Sequence, residues 1–201
     1  MWEGSVGHNT PVIIDLAPKP DGSLPPEQVA AAHTLGAFNA GCYGAPPLGS
    51  VGGSGASASP LVLALGAAGG AGVTLDRVEL REDLLRTRQQ LVRGFTLAAQ
   101  LADGSTVDLL ARAGAPAGSS IGSRFILVLP APLAGVVSVS LNVTATAALA
   151  PAGAPFIASL AARSCDALAR SLDAAWADAA WPVPPAGWQP AQAYARGWAR
   201  Q

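Results

Sequence analysis

The chain has 201 residues, room for one full domain or for one domain plus a piece of another. Its formal net charge is −1 and 12% of its residues are charged, so it lacks the basic excess that nucleic-acid binding requires. No apolar run reaches the length of a bilayer span, and the opening residues MWEGSVGHN have neither the basic start nor the apolar core of a signal peptide, which taken alone argues for the cytosol.

Residues 1–44 form the first zone. Val12-Ile13-Ile14 reads as a buried strand, and the Pro/Gly-rich stretch after it as a turn. Residues 27–39 read as a helix, with Val29, Leu35 and Phe38 on one face, Pro25-Pro26 in the first turn and Gly41 and Gly44 at its end. His33 falls in the middle of this helix as a surface or packing residue. This is one β-turn-α unit, the repeating element of parallel α/β folds. A lone strand leaves its backbone unsatisfied, so the unit reads as the end of something larger.

Residues 45–59, APPLGSVGGSGASAS, read as a Gly/Ser-rich linker. Over 60–162 the period changes. Short runs rich in Val, Leu and Ile (PLVLALG, VTLDRVEL, GFTLAAQL, TVDLLARA, RFILVLP, VVSVSLNVTA) are separated by turn signals at 67–72, 102–105 and 130–135. This pattern predicts an antiparallel β-sandwich, with Asp103-Gly104 as a hairpin turn. Residues 163–201 form the last zone. Leu168, Leu172 and Trp176 fall at helical spacing, the prolines from Pro182 onward end the helix, and a Trp-containing tail follows. Two cysteines, Cys42 and Cys165, make no disulfide framework. Pairing in an oxidising compartment and two unpaired small hydrophobes both fit, and the second is the plainer reading.

The order of these pieces resembles the C-terminal part of the α-L-fucosidases, glycoside hydrolase family 29. Three local matches carry the resemblance. Ser5-Val6-Gly7-His8-Asn9, Val12 to Pro18, Asp21-Gly22 and Pro26-Glu27 are similar to the family's last barrel strand and the turn after it, and Leu35-Gly36-Ala37-Phe38 with Tyr43-Gly44 and Pro46 to the following helix. The family has Arg where His8 stands and Asn where Asp15 stands. Leu75 to Leu84, with Arg86, Gln89 and Phe95, is similar to a sandwich motif ending in Gly-Gln-Arg, here replaced at Arg88 and Gln90. Ser120-Ile121-Gly122 with Arg124 is similar to a Ser-Ile-Gly segment, and Ala154-Pro155-Phe156-Ile157 to a closing strand. The resemblance implies a mainly β fold: a galactose-binding-like antiparallel sandwich, preceded by one β-α unit of an incomplete (β/α)8 barrel and followed by a C-terminal helix.

It also implies a parent enzyme that hydrolyses terminal α-L-fucose from glycans with retention, without a cofactor or metal, in a secreted or lytic setting. Its partner is a fucosylated glycan bound through the complete barrel, with no role for nucleic acid or membrane. Retaining hydrolysis uses two carboxyl groups about 5 to 5.5 Å apart. The family's aspartate nucleophile and glutamate acid/base lie upstream of the last barrel strand, and no residue here matches either motif, so no catalytic residue is expected in this chain and the chain alone is expected to be inactive.

Asp15, at the C-terminal end of the barrel strand, and His8, before it, are candidates for the periphery of a sugar site. The plainer alternatives are a loop-capping Asp and a solvated His. Glu79, Glu82 and Asp83 cluster at a strand end and read as solvated. Ser120 lies outside any G-x-S-x-G elbow, Gly69-Gly70-Ala71-Gly72 lacks the Lys-Ser/Thr of a phosphate loop, and no Cys/His spacing suits zinc. Asn142-Val143-Thr144 is an N-glycosylation sequon on the polar face of its strand. The rival readings are a non-catalytic β-sandwich module that binds carbohydrate or a protein partner, and a structural domain that buttresses a barrel supplied in trans. Phe95, Phe125 and Phe156 in 60–162 fall at core-like positions, and that zone holds no Trp or Tyr to stack on a sugar.

Overall fold

A computed structural model of the chain describes residues 2–52, 60–66, 70–115, 118, 120–148 and 156–178. Seven strands form one antiparallel sheet: β1 (Gly49–Val51), β2 (Leu61–Ala64), β3 (Val73–Glu82), β4 (Val92–Leu101), β5 (Thr106–Asp108), β6 (Phe125–Thr146) and β7 (Ile157–Arg163). The order is β1-β7-β3-β6-β4-β5, with β2 also on β6.

Strand β6 organises the sheet. Its first half, from Phe125 to Val136, pairs with β3, and its second half pairs with β4 on one edge and β2 on the other. The halves carried by β6 enclose one core, in which Leu75, Val78 and Leu80 of β3 join Leu97 and Ala99 of β4 and Val136, Val139 and Leu141 of β6. Alternation at period two supplies these inward residues, as expected for strands with one buried face.

The expected fold class is observed: a mainly β, antiparallel architecture with few helices. Local differences have physical causes. The run 130–135 is no turn, because β6 continues through it. Pro130 and Pro132 lie where the β3–β6 register shifts, so neither removes a regular ladder bond. TVDLLARA divides after Asp108. The Asp108 side chain accepts from Ala111 N–H at 3.0 Å and caps a short helix, Leu109–Ala113, which Gly114 ends at φ 66°. The hairpin at Asp103-Gly104 forms as expected, with Asp103 Oδ1 accepting from Ser105 N–H at 2.8 Å. Within the expected linker, Gly49–Val51 adds to β7 as β1, whereas 53–59 lies outside the described residues, as do 67–69 of an expected turn.

The N-terminal zone departs furthest from its reading. Val12-Ile13-Ile14 is not a buried strand. Residues 11–19 carry no ladder, and Ile13 is 84% exposed, Ile14 45% and Leu16 38%. A strand apolar on both faces needs neighbours on both sides, and no described element supplies them. The helix after it (Pro26–Asn39) forms as expected behind Pro25 but buries none of its residues. It does not stop at Gly41 but widens into a π-helical turn, Ala40–Gly44. The last helix begins at Asp166 rather than at the start of its zone at 163, because β7 runs through to Arg163. We number the helices α1 (Trp2–Ser5), α2 (Pro26–Asn39), α3 (Leu84–Thr87), α4 (Leu109–Ala113) and α5 (Asp166–Asp178).

Candidate functional site

The chemically dense region is the outer face of β3, where the N-terminal segment lies across the sheet. Arg77, Glu79 and Arg81 alternate on this face, opposite the core-facing Val78 and Leu80. Glu79 is buried. Its Oε1 accepts from Arg81 at 2.7 Å and pairs with Arg124 at 2.8 Å, and its Oε2 accepts from Arg163 Nε at 3.1 Å. Burial alone would raise this carboxyl. The Arg81 hydrogen bond and the charges of Arg124, Arg81 and Arg163 outweigh burial and hold it below the ordinary carboxylate range.

The second layer of the site comes from the start of the chain. Glu3, on α1, is buried and accepts from Arg77 Nε and from the Tyr43 hydroxyl, the latter at 2.5 Å. Burial, with the Glu3 charge, pushes the Tyr43 hydroxyl well above its usual value. Burial disfavours the Arg77 charge, but Glu3 overrides it and raises that group. The Arg124 guanidinium stands 4.5 Å from the Trp2 ring centroid and 5.1 Å from that of Tyr43, and desolvation there lowers its pKa. Asn9 closes the lower edge. Its Nδ2 donates to the Ile121 carbonyl at 2.9 Å and its Oδ1 accepts from Arg124 N–H and Ser123 Oγ, both at 2.9 Å.

Two further carboxylates accept from backbone amides, and Asp76 also pairs with Arg77 at 2.9 Å. Glu82 Oε1 accepts from Leu91 and Val92 N–H at 2.8 and 2.9 Å, and its Oε2 accepts from Gly122 N–H. Asp76 accepts from the N–H groups of Cys165 and Asp166 at the start of α5. Cys42 and Cys165 are joined by a disulfide with their Cα atoms 5.4 Å apart, so the unpaired reading of these residues is corrected. Arg163 Nη1 donates to the carbonyls of Cys42 and Ala45 at 2.8 and 2.9 Å.

The solvated reading of Glu79 and Glu82 is therefore also corrected. Both are buried ligands of cations or amides, while Asp83 caps α3 by accepting from Arg86 N–H at 3.1 Å. Every hydrogen-bonding role described for Glu79, Glu82, Asp76 and Glu3 is structural: they fasten the N-terminal segment, the 120–124 loop and α5 to β3. Among the described residues, no three His, Cys, Asp or Glu stand together to hold a metal, and no helix is long and apolar enough to cross a membrane. His8 sits at the rim of the cluster, its ring 5.4 Å from Phe125 edge-on, and desolvation lowers its pKa. Asp15 lies exposed in the unpaired stretch. Asn142 is exposed on β6 opposite Thr96. Phe95 is fully buried against Phe125.

The sequence hid Glu3, Tyr43, Arg124 and Arg163 because their partners come from distant segments. The visible signal was β3 itself. Opposite charges at i, i+2 on a strand paired on both sides can be buried only if a further layer covers them.

The chain shares its mainly β fold with part of several solved α-L-fucosidases of glycoside hydrolase family 29. No protein-family model matches the chain, and no curated protein matches it in sequence. Among solved structures, a glycoside hydrolase family 29 member from an unknown rumen bacterium matches with a TM-score of 0.64 and 19% identity, over 82% of this chain and 27% of that one. A Bacteroides thetaiotaomicron protein assigned to the α-L-fucosidases matches with a TM-score of 0.63 and 21% identity, over 81% of this chain and 32% of that one. A Ruminococcus gnavus family 29 fucosidase solved with fucose matches with a TM-score of 0.60 and 14% identity, over 82% and 35%. The chain thus spans only about a third of the length of the proteins whose fold it shares.

Proposed function

We propose that this chain is the C-terminal portion of a retaining α-L-fucosidase, and that its work is to seat the last barrel unit on the β domain. The observation that carries the reading is the shared fold, which takes in over four-fifths of this chain but 27–35% of those three neighbours. The open apolar stretch at 11–19 supports it, since β/α units packed beside it would supply the neighbours that the described residues do not. The Glu79–Arg124–Arg163 and Glu3–Arg77–Tyr43 clusters then fix the angle between barrel and sheet. In the complete enzyme His8 and Asp15 sit at the periphery of the sugar site, and the nucleophile and acid/base come from upstream of residue 1. The disulfide favours a secreted or lytic setting, where oxidation persists and where Asn142 becomes a glycan acceptor if the host glycosylates.

The purified 201-residue chain is expected to show no turnover of 4-nitrophenyl α-L-fucoside, whereas a polypeptide that adds the upstream barrel is expected to be active. Turnover by the chain alone, titratable to an active site, would contradict the proposal.

A further inference from the structure

Helices α2 and α5 are fastened differently from the rest of the molecule. The hydrophobic core contains no residue of either helix and neither cysteine. Helix α2 buries nothing; it runs on into the π-helical turn, sets Phe38 6.1 Å from the Tyr43 ring and 5.4 Å from the Arg77 guanidinium, and along its length meets α5. Helix α5 buries Ala169 and rests Leu168 on Gly41, where an added Cβ would lie 2.5 Å from Leu168 Cδ2. Such contacts hold a helix weakly. Against them stands the Cys42–Cys165 bond, which closes a loop of 123 residues and is buried, with the two cysteines 4% and 3% exposed.

We propose that this bond is a redox latch for the α2–α5 corner: reduction frees the two helices while the sheet stays folded. The step is an ordinary exchange. A dithiol reductant gives two electrons and two protons, the S–S bond breaks, two thiols form at Cys42 and Cys165, and the reductant leaves as its own disulfide. Residues 42–45 stay in place afterwards. Arg163 still holds the carbonyls of Cys42 and Ala45, and Tyr43 still bonds Glu3. Asp76 still caps the first turn of α5, so what is lost is the docking of its remaining turns and, with them, the contact of α5 with α2, which keeps its C-terminal hold through Phe38. Because both sulfurs are buried, reductant reaches them only when α5 lifts. Reduction therefore proceeds at the rate of that opening, independently of the core. The inference concerns this chain alone and does not depend on the fucosidase reading.

Hydrogen exchange read by mass spectrometry, on the native chain with and without dithiothreitol and on the Cys42→Ser/Cys165→Ser double variant, tests it. Both reduced and double-variant chains are expected to exchange the amides of 30–39 and 169–175 at least about thirtyfold faster, with a smaller gain for those of β3, β4 and β6, which lie inside the closed loop and feel only its effect on global unfolding. Unchanged exchange in the two helices would overturn the proposal, as would equal loss of protection in the sheet. Quantitative alkylation of both thiols in the native, unreduced chain would overturn it as well.

Discussion

Replacing Glu79 by Ala should be among the most damaging single changes in the chain. The magnitude follows from its three partners. Arg81 is 44% exposed, and its pair with Glu79 contributes at most about 1 kcal/mol. Arg124 and Arg163 are 17% and 10% exposed, and Glu79 itself is 3% exposed. Removing the anion leaves the buried Arg163 and the largely covered Arg124 without this counter-charge, and breaking a buried pair costs about 3–5 kcal/mol. That loss corresponds to a fall in melting temperature of roughly 6–20 °C for a protein of this size. Urea titration and thermal melts of the purified chain measure it. Glu79→Gln keeps the shape and one acceptor, and should fall between the wild type and the alanine variant. A loss below about 1 kcal/mol for Glu79→Ala would refute the argument that this cluster bears the junction.

The same group sets an acid dependence. Its folded-state pKa is lowered, so its contribution is present above the unfolded carboxylate range and is lost as pH falls through the lower folded value; melts from about pH 6 to about pH 3 should lose this part of their slope in Glu79→Gln. Asn9 combines a φ of 63° with three hydrogen bonds to the 121–124 loop, so Asn9→Ala should cost about 2–4 kcal/mol in denaturant titration, and Asn9→Gly less, because glycine keeps the backbone at ease. Ile13→Ser with Leu16→Ser should shift stability by no more than about 0.5 kcal/mol, since both residues are exposed, while reducing self-association in sedimentation velocity.

How far each element was legible depended on whether its cause was local. Strands β3 and β4 and the Asp103-Gly104 hairpin carry their own period and turn chemistry. The division of TVDLLARA was harder, because Asp108 serves as both the strand's last residue and the helix's cap. The prolines at 130 and 132 suggested a break, but a register shift absorbed them. The site was least legible. Glu79 and Glu82 looked solvated because Arg124, Arg163 and Gly122 approach from segments 40 or more positions away. Cys42 and Cys165 meet only because β7 and the π-helical turn converge on one edge. The apolar run at 12–14 is the converse case: its pattern asks for neighbours on both sides that the described residues do not supply.

A β3 face that seats a barrel unit belongs to a longer polypeptide. The direct measurement is the reading frame upstream of the Met1 codon, together with the mass of the native product that carries this sequence. The expected result is an open frame encoding repeated β/α units with an aspartate and a glutamate at barrel strand ends, and a native polypeptide roughly three times the length of these 201 residues. An in-frame stop directly upstream of Met1, with a native product of 20.0 kDa, would contradict it.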